Sequence, residues 1–248
     1  MCFKTVPVAV LSSLLVFGAW SNAQSLAYPD TSQVDHIDVY HEVEVADPYR
    51  WLENDVRQSE DVADWVERQN AVTFGYLEKI PDRDAIRARI EKLWDYERFS
   101  VPRKAGNYYY FFRNDGLQNQ SVLYRQRSFD AEPVAVLDPN TWSADGTVAM
   151  GGMAYSPDGR YLAYGVNEAG SDWATWRVFD LETLEELTDR VRWVKYSGAE
   201  WTQDNKGFFY GRFDEPKTGS EFQNITLGQK IYYHAIGNDQ SEDELVYA

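Results

Sequence analysis

The sequence predicts a mainly β fold, an incomplete β-propeller preceded by an α-helical N-terminal segment, and three observations carry that reading. Two amphipathic helical patterns occupy residues 59–94, and short aromatic runs bounded by turn residues replace them after Asp95. Those runs recur with a period of about 45 to 55 residues, the length of a four-stranded propeller blade.

The helices come first in the chain. Ser59-Glu60-Asp61 supplies a capping side chain and an acidic first turn, and Val62, Trp65, Val66, Val72, Tyr76 and Leu77 follow at helical spacing. Pro81-Asp82 opens a second helix, with Ile86, Ile90, Leu93 and Trp94 on one face and charged residues between them. Each apolar stripe needs a surface to cover it. The aromatics Trp65, Tyr76 and Trp94 read as packing residues, not as a cofactor box.

Strand-like runs then follow at 108–113, 121–126, 134–137, 161–166, 175–181, 207–212 and 230–236. No long amphipathic helix interrupts them, which favours antiparallel sheet over a βαβ arrangement. The repeat is legible in the residues themselves. Tyr155-Ser156-Pro157-Asp158-Gly159-Arg160-Tyr161-Leu162-Ala163-Tyr164 aligns with Trp201-Thr202-Gln203-Asp204-Asn205-Lys206-Gly207-Phe208-Phe209-Tyr210. A weaker copy starts at Gly106-Asn107-Tyr108, and each copy is followed by a second aromatic strand. About three blades are visible, and propellers close with about four to eight. The reading therefore expects a sequence that stops mid-architecture, with Trp65, Trp94, Phe208, Phe209 and Tyr232 partly exposed.

Charge and targeting narrow the function classes. The net charge of −16 opposes binding to a nucleic-acid backbone. Lys4, the apolar run 6–20 and Ser21-Asn22-Ala23 read as a secretory leader cleaved after Ala23, which implies a periplasmic or secreted protein with no membrane span after cleavage. The single cysteine, Cys2, lies inside that leader, so neither a disulfide framework nor a Cys-ligated zinc is expected.

Recognisable catalytic patterns are few in this sequence. No Gly-x-Ser-x-Gly occurs in the 248 residues, and the three histidines, His36, His41 and His234, show no metal-binding spacing and read as surface or structural residues. Carboxylate pairs such as Glu42 with Glu44, Asp180 with Glu182, and Glu185 with Glu186 are expected by chance among 40 acidic residues. A carbohydrate-active propeller and a stand-alone propeller that binds peptides or proteins both remain open on these grounds. No cofactor or metal is implied.

Three motifs add a resemblance. Asp47-Pro48-Tyr49-Arg50-Trp51-Leu52-Glu53-Asn54, Gly116-Leu117-Gln118-Asn119-Gln120 and Gly170-Ser171-Asp172-Trp173 together resemble the N-terminal part of the prolyl oligopeptidases, serine peptidases that cut short peptides after proline. The resemblance runs from about Tyr28 to Ala248 and implies a seven-bladed propeller of which about three blades are present. It divides the chain into a leader (1–23), a helical segment (24–95) that would complete an α/β-hydrolase domain, and a partial propeller (96–248). It implies that the propeller gates the active site, and that the nucleophile belongs to a domain absent from this sequence, so the chain alone would be inactive. The implied partners are short proline-containing peptides and that hydrolase domain, and the complete protein would be a monomer. By the same resemblance Asp172 pairs with a substrate-holding arginine of the hydrolase domain, and Tyr196 lies against the peptide upstream of the proline.

Overall fold

Three antiparallel sheets follow one another along the chain in a computed structural model that describes residues 26–217, 221 and 226–248. The expected leader lies outside the described residues. Blade 1 contains β3 (Arg98–Phe99), β4 (Arg103–Ala105), β5 (Tyr108–Asn114), β6 (Val122–Gln126) and β7 (Val134–Leu137). Its first strand is split, because β3 and β4 both pair with β5, at opposite ends. Blade 2 contains β8 (Val148–Tyr155), β9 (Tyr161–Glu168), β10 (Ala174–Asp180) and β11 (Glu185–Val194), and blade 3 contains β12 (Ala199–Trp201), β13 (Gly207–Arg212), β14 (Lys230–Ala235) and β15 (Glu244–Tyr247). Blades 2 and 3 are simple four-stranded meanders, as the repeat predicts.

Side-chain alternation along the repeated strand explains how the blades pack. On β9, Leu162, Tyr164 and Val166 enter a cluster with Tyr110, Leu123 and Leu137 of blade 1, while Ala163 enters a second cluster with Phe208 and Tyr210 of blade 3. The middle sheet is therefore buried on both faces. The same alternation corrects one expectation. Phe208 is fully buried in the seam between blades 2 and 3, and it is Phe209, one residue on, that faces outward at 38% exposure. Trp65 and Tyr232 are half-buried and Trp94 is exposed, as expected.

Ahead of the blades lie a hairpin, β1 (Ile37–Tyr40) and β2 (Val43–Ala46), and two helices, α1 (Glu60–Leu77) and α2 (Arg83–Trp94). The Ser59 hydroxyl caps α1 by accepting from the Val62 N–H at 3.4 Å. The incoming chain lies along α1, since the Trp65 indole donates to Thr31 Oγ1 at 3.0 Å and the Gln69 amide to the Pro29 carbonyl at 3.2 Å. On α2 the stripe of Ile86, Ile90, Leu93 and Trp94 is exposed along its whole length.

Two of the family-like motifs prove to be structural joints. Arg50 forms ion pairs with Asp38, with Asp47 at 3.0 Å and with Glu53 at 2.7 Å, and the Trp51 indole donates to the Ser32 carbonyl at 2.8 Å. The motif at 47–54 thus ties the entry chain, the hairpin and the approach to α1 into one knot. The Gly116 motif joins the helices to blade 1. Arg98 donates to Asn114 Oδ1 and to the Gly116 carbonyl, both at 2.9 Å, and to the Trp94 carbonyl at the end of α2 at 3.3 Å. Gly116 has φ 131°, and a Cβ there would lie 2.7 Å from the Asp95 carboxylate and 2.9 Å from the Tyr96 nitrogen. Only glycine fits beneath that crossing.

Candidate functional site: the loop rim of blade 2

Strand direction gathers several loops at one end of the propeller. The β9–β10 loop carries Asp172, and because the strands are antiparallel, β11 ends beside it and leads into Lys195-Tyr196-Ser197. The loop after β13 arrives at the same end, where Phe213 packs edge-on against Trp173 at 6.1 Å. Blade 1 contributes Asn119, which lies against Gly146, next to the Thr147 carbonyl that accepts the Ala169 N–H at 3.0 Å.

The structure brings together the two residues that the resemblance singled out. Tyr196 Oη donates to Asp172 Oδ2 at 2.9 Å across 24 residues of sequence. Both side chains are exposed, Tyr196 at 74%. The backbone aims them. Ala169 and Gly170 adopt positive φ, Asn167 Nδ2 donates to the carbonyls of Ser171 and Trp173, and Tyr196 itself sits at φ 52°. The local turn bond comes from Ser171, whose Oγ accepts the Trp173 N–H at 3.1 Å. The Asp172 carboxylate is thus left for a partner outside its own loop. The hydrogen bond to Asp172 and the charge of that carboxylate hold the Tyr196 phenol above its ordinary pKa, so it stays a donor.

Trp173 is the anchor of this rim, a role that the sequence did not reveal. Its indole donates to the Glu221 carbonyl at 2.7 Å, its ring meets Trp193 edge-on at 5.6 Å, and Lys195 Nζ lies 3.9 Å from the ring centroid. Three loops therefore share one aromatic. Beside it opens a cleft of about 790 Å³ lined by Arg57, Ser171, Trp173, Arg177, Arg192 and Glu221. The three histidines do not converge: His36 bonds Asp38, His41 occupies the tip of the β1–β2 hairpin, and His234 is buried between blades 2 and 3.

Consecutive antiparallel blades, with a carboxylate–tyrosine pair on one rim, define a propeller domain. The family model described as prolyl oligopeptidase, N-terminal β-propeller domain, matches residues 29–248, and the chain belongs to the prolyl oligopeptidase family. The prolyl endopeptidases of Elizabethkingia miricola and Elizabethkingia meningoseptica are 41% and 40% identical to it over 246 residues, which cover 99% of this chain and 34% of each relative. A solved prolyl endopeptidase, described in a study of inter-domain dynamics in catalysis and specificity, superposes with a TM-score of 0.75 at 31% identity, covering 89% of this chain and 32% of that one. Prolyl oligopeptidase B from Galerina marginata, bound to a 25mer macrocyclization substrate, gives 0.74 at 31% identity over 90% of this chain and 34% of its own. The chain thus spans about a third of the length of the relatives it matches.

Proposed function

We propose that this chain is the substrate-gating part of an exported prolyl oligopeptidase-like serine peptidase that cuts short peptides after proline. The observation that carries the proposal is the Tyr196–Asp172 pair on the loop rim. A carboxylate held by one oxygen presents the other to an incoming cation, and an arginine from a hydrolase domain, poised to hold the substrate carbonyl, is the cation that the family resemblance supplies. The Tyr196 ring, exposed beside it, offers an apolar face to the peptide upstream of the proline. The propeller is then a lid that admits short chains and excludes water.

The direct test is Asp172→Asn in a protein that joins this chain to its hydrolase domain. The change keeps the size of the side chain and removes its charge. Losing a charge-assisted hydrogen bond of about 1.5–3 kcal/mol should lower kcat/KM about ten- to a hundred-fold, with little change in Tm. A large fall in Tm with kcat/KM intact would make Asp172 a purely structural residue and remove the gate. The 248-residue chain by itself should not turn over a chromogenic succinyl-Gly-Pro peptide, because its sequence carries no Gly-x-Ser-x-Gly to supply an activated nucleophile. Turnover that is blocked by a fluorophosphonate would overturn that expectation. Export is checked separately, by N-terminal sequencing of the secreted product, which should begin at Gln24.

A further inference from the structure

At the end of the propeller opposite Asp172, a second cavity lies in the groove between blades 1 and 2. Its volume is about 390 Å³, and Tyr108, Tyr110, Arg125, Arg127, Arg160 and Glu182 are among the residues that line it. The turn after β4 and the turn after β8 form its floor, at Gly106 and Gly159. Both glycines have positive φ, and their backbones lie so close that a Cβ on Gly159 would come within 2.3 Å of the Gly106 nitrogen. The floor is therefore fixed.

The polar groups around this cavity do not balance one another. Arg125 and Arg127 both stand over the ring of Tyr108, with guanidinium carbons 4.4 and 5.0 Å from its centroid. Arg125 spends one N–H on the Leu181 carbonyl, and neither arginine has a carboxylate partner among the described residues. The nearby acids are committed elsewhere. Asp180 pairs with Arg160 at 3.1 Å and Glu182 reaches the same arginine at 3.8 Å. Asp158 accepts from the Ser156 hydroxyl at 2.6 Å and from the Arg160 N–H at 3.0 Å. Tyr110 lines the same space, with the Arg125 guanidinium beside its hydroxyl. The residue is only 2% exposed, and the hydroxyl is buried with no acceptor for its proton. Burial raises the pKa of this phenol by more than the neighbouring Arg125 lowers it, so it carries a proton to donate.

Two guanidiniums held on one aromatic ring without a carboxylate, beside a buried hydroxyl whose proton has no acceptor, describe a site that lacks an anion. We propose that the groove bounded by Arg125, Arg127 and Tyr110 binds an oxyanion of the phosphate or carboxylate class. Guanidinium forks match the paired oxygens of such groups, and the tyrosine hydroxyl supplies a further donor. The site is remote from the Asp172 rim and does not depend on the gating role proposed for it. On a chain of net charge −16 it is a local exception, so its ligand must be held by short-range hydrogen bonds and not by the overall field.

The test is thermal melting and calorimetric titration of the 248-residue chain with inorganic phosphate or acetate, at constant ionic strength set with chloride. Phosphate or acetate should raise Tm saturably. Saturation by phosphate alone assigns a phosphoryl ligand, and saturation by acetate alone assigns a carboxylate. Arg127→Gln changes an exposed side chain and should weaken binding about ten- to a hundred-fold, the effect of one charge-assisted hydrogen bond. Tyr110→Phe should weaken binding too, while leaving the ligand-free Tm unchanged or slightly higher, because it removes a buried, unpaired hydroxyl. The absence of a saturable response overturns the proposal. So does a non-saturating rise of equal size in all three proteins, which is the signature of salt exclusion from the surface.

Discussion

The two seams of the propeller are closed by different chemistry. Between blades 1 and 2 the contact is an apolar layer of Leu123, Leu137, Leu162, Val166 and Phe179, interleaved with Tyr110 and Tyr164. Between blades 2 and 3 the apolar layer of Val178, Val191, Val194 and Phe208 is crossed by a buried polar chain. His234 on β14 bonds Asp189 of β11 at 3.0 Å and Asp243 of its own blade at 2.7 Å. Asp189 also accepts the Gly237 N–H, and Asp243 accepts the Tyr210 hydroxyl at 2.5 Å. Apolar contact is non-directional and tolerates sliding, whereas the bonds of this chain form at one register only. The first seam therefore supplies adhesion, and the second adds alignment.

Three experiments would break or sharpen that contrast, and the largest effect belongs to the polar seam. Asp189→Ala leaves His234 buried with half its partners and should cost about 3–5 kcal/mol in urea unfolding. Leu162→Ala in the apolar seam should cost about 2–5 kcal/mol through lost burial and a residual cavity. If Asp189→Ala costs less than about 1 kcal/mol, the chain of carboxylates is ornamental and both seams work by burial alone.

The smallest effect is a pH dependence that only the polar seam should show. Burial alone would lower the His234 pKa, but the hydrogen bonds and charges of Asp189 and Asp243 outweigh it and push the value from 6.5 to about 9. A group raised on folding stabilises fully below its unfolded pKa and loses that contribution as pH rises through the folded one. Stability should therefore decline between about pH 6.5 and about 9, by on the order of 1–3 kcal/mol. Asp189 shifts the other way. Burial raises its pKa, but bonds from His234 and the Gly237 N–H outweigh that and lower it, so its contribution is lost as pH falls below the ordinary aspartate range. The same titration of His234→Gln should be flat across the alkaline window, and an equal decline in that variant would locate the titrating group elsewhere.

The repeat made the inner half of each blade readable and left its borders obscure. Asp158-Gly159 and Asp204-Asn205 mark turns that fix where β9 and β13 begin, and the aromatic alternation after them gives the strands. β8 went unrecognised because Gly151-Gly152 interrupts its pattern, at a register shift against β9 where a Cβ on Gly152 would meet the Trp176 ring at 3.2 Å. β11 was hidden for the opposite reason. Its first residues, Glu185 to Arg190, are largely polar, and Glu186 is spent on the Tyr164 hydroxyl and two arginines. The site divides in the same way. Gly170-Ser171-Asp172-Trp173 is legible as a motif, but its bond to Tyr196 depends on the strand pairing of β10 with β11, which no local pattern encodes. His234 could be read as structural from the sequence, yet its burial between two aspartates 54 residues apart could not.

The Arg98 joint bears on how force moves through the molecule. One guanidinium grips the end of α2, the side chain of Asn114 and the carbonyl of Gly116, and it lies 5.1 Å from the Trp94 ring and 5.4 Å from that of Tyr96. Asn114 in turn donates to the Gln118 carbonyl at 3.0 Å, so the grip extends into the loop at the mouth of blade 1. A pivot this short has no slack. A tilt of α2 must either break several hydrogen bonds at once or drag the 115–121 loop with it, which makes α2 a lever arm whose load is delivered to the rim of the propeller. α2 and the 115–121 loop are thereby coupled through one arginine, which serves as their common axle.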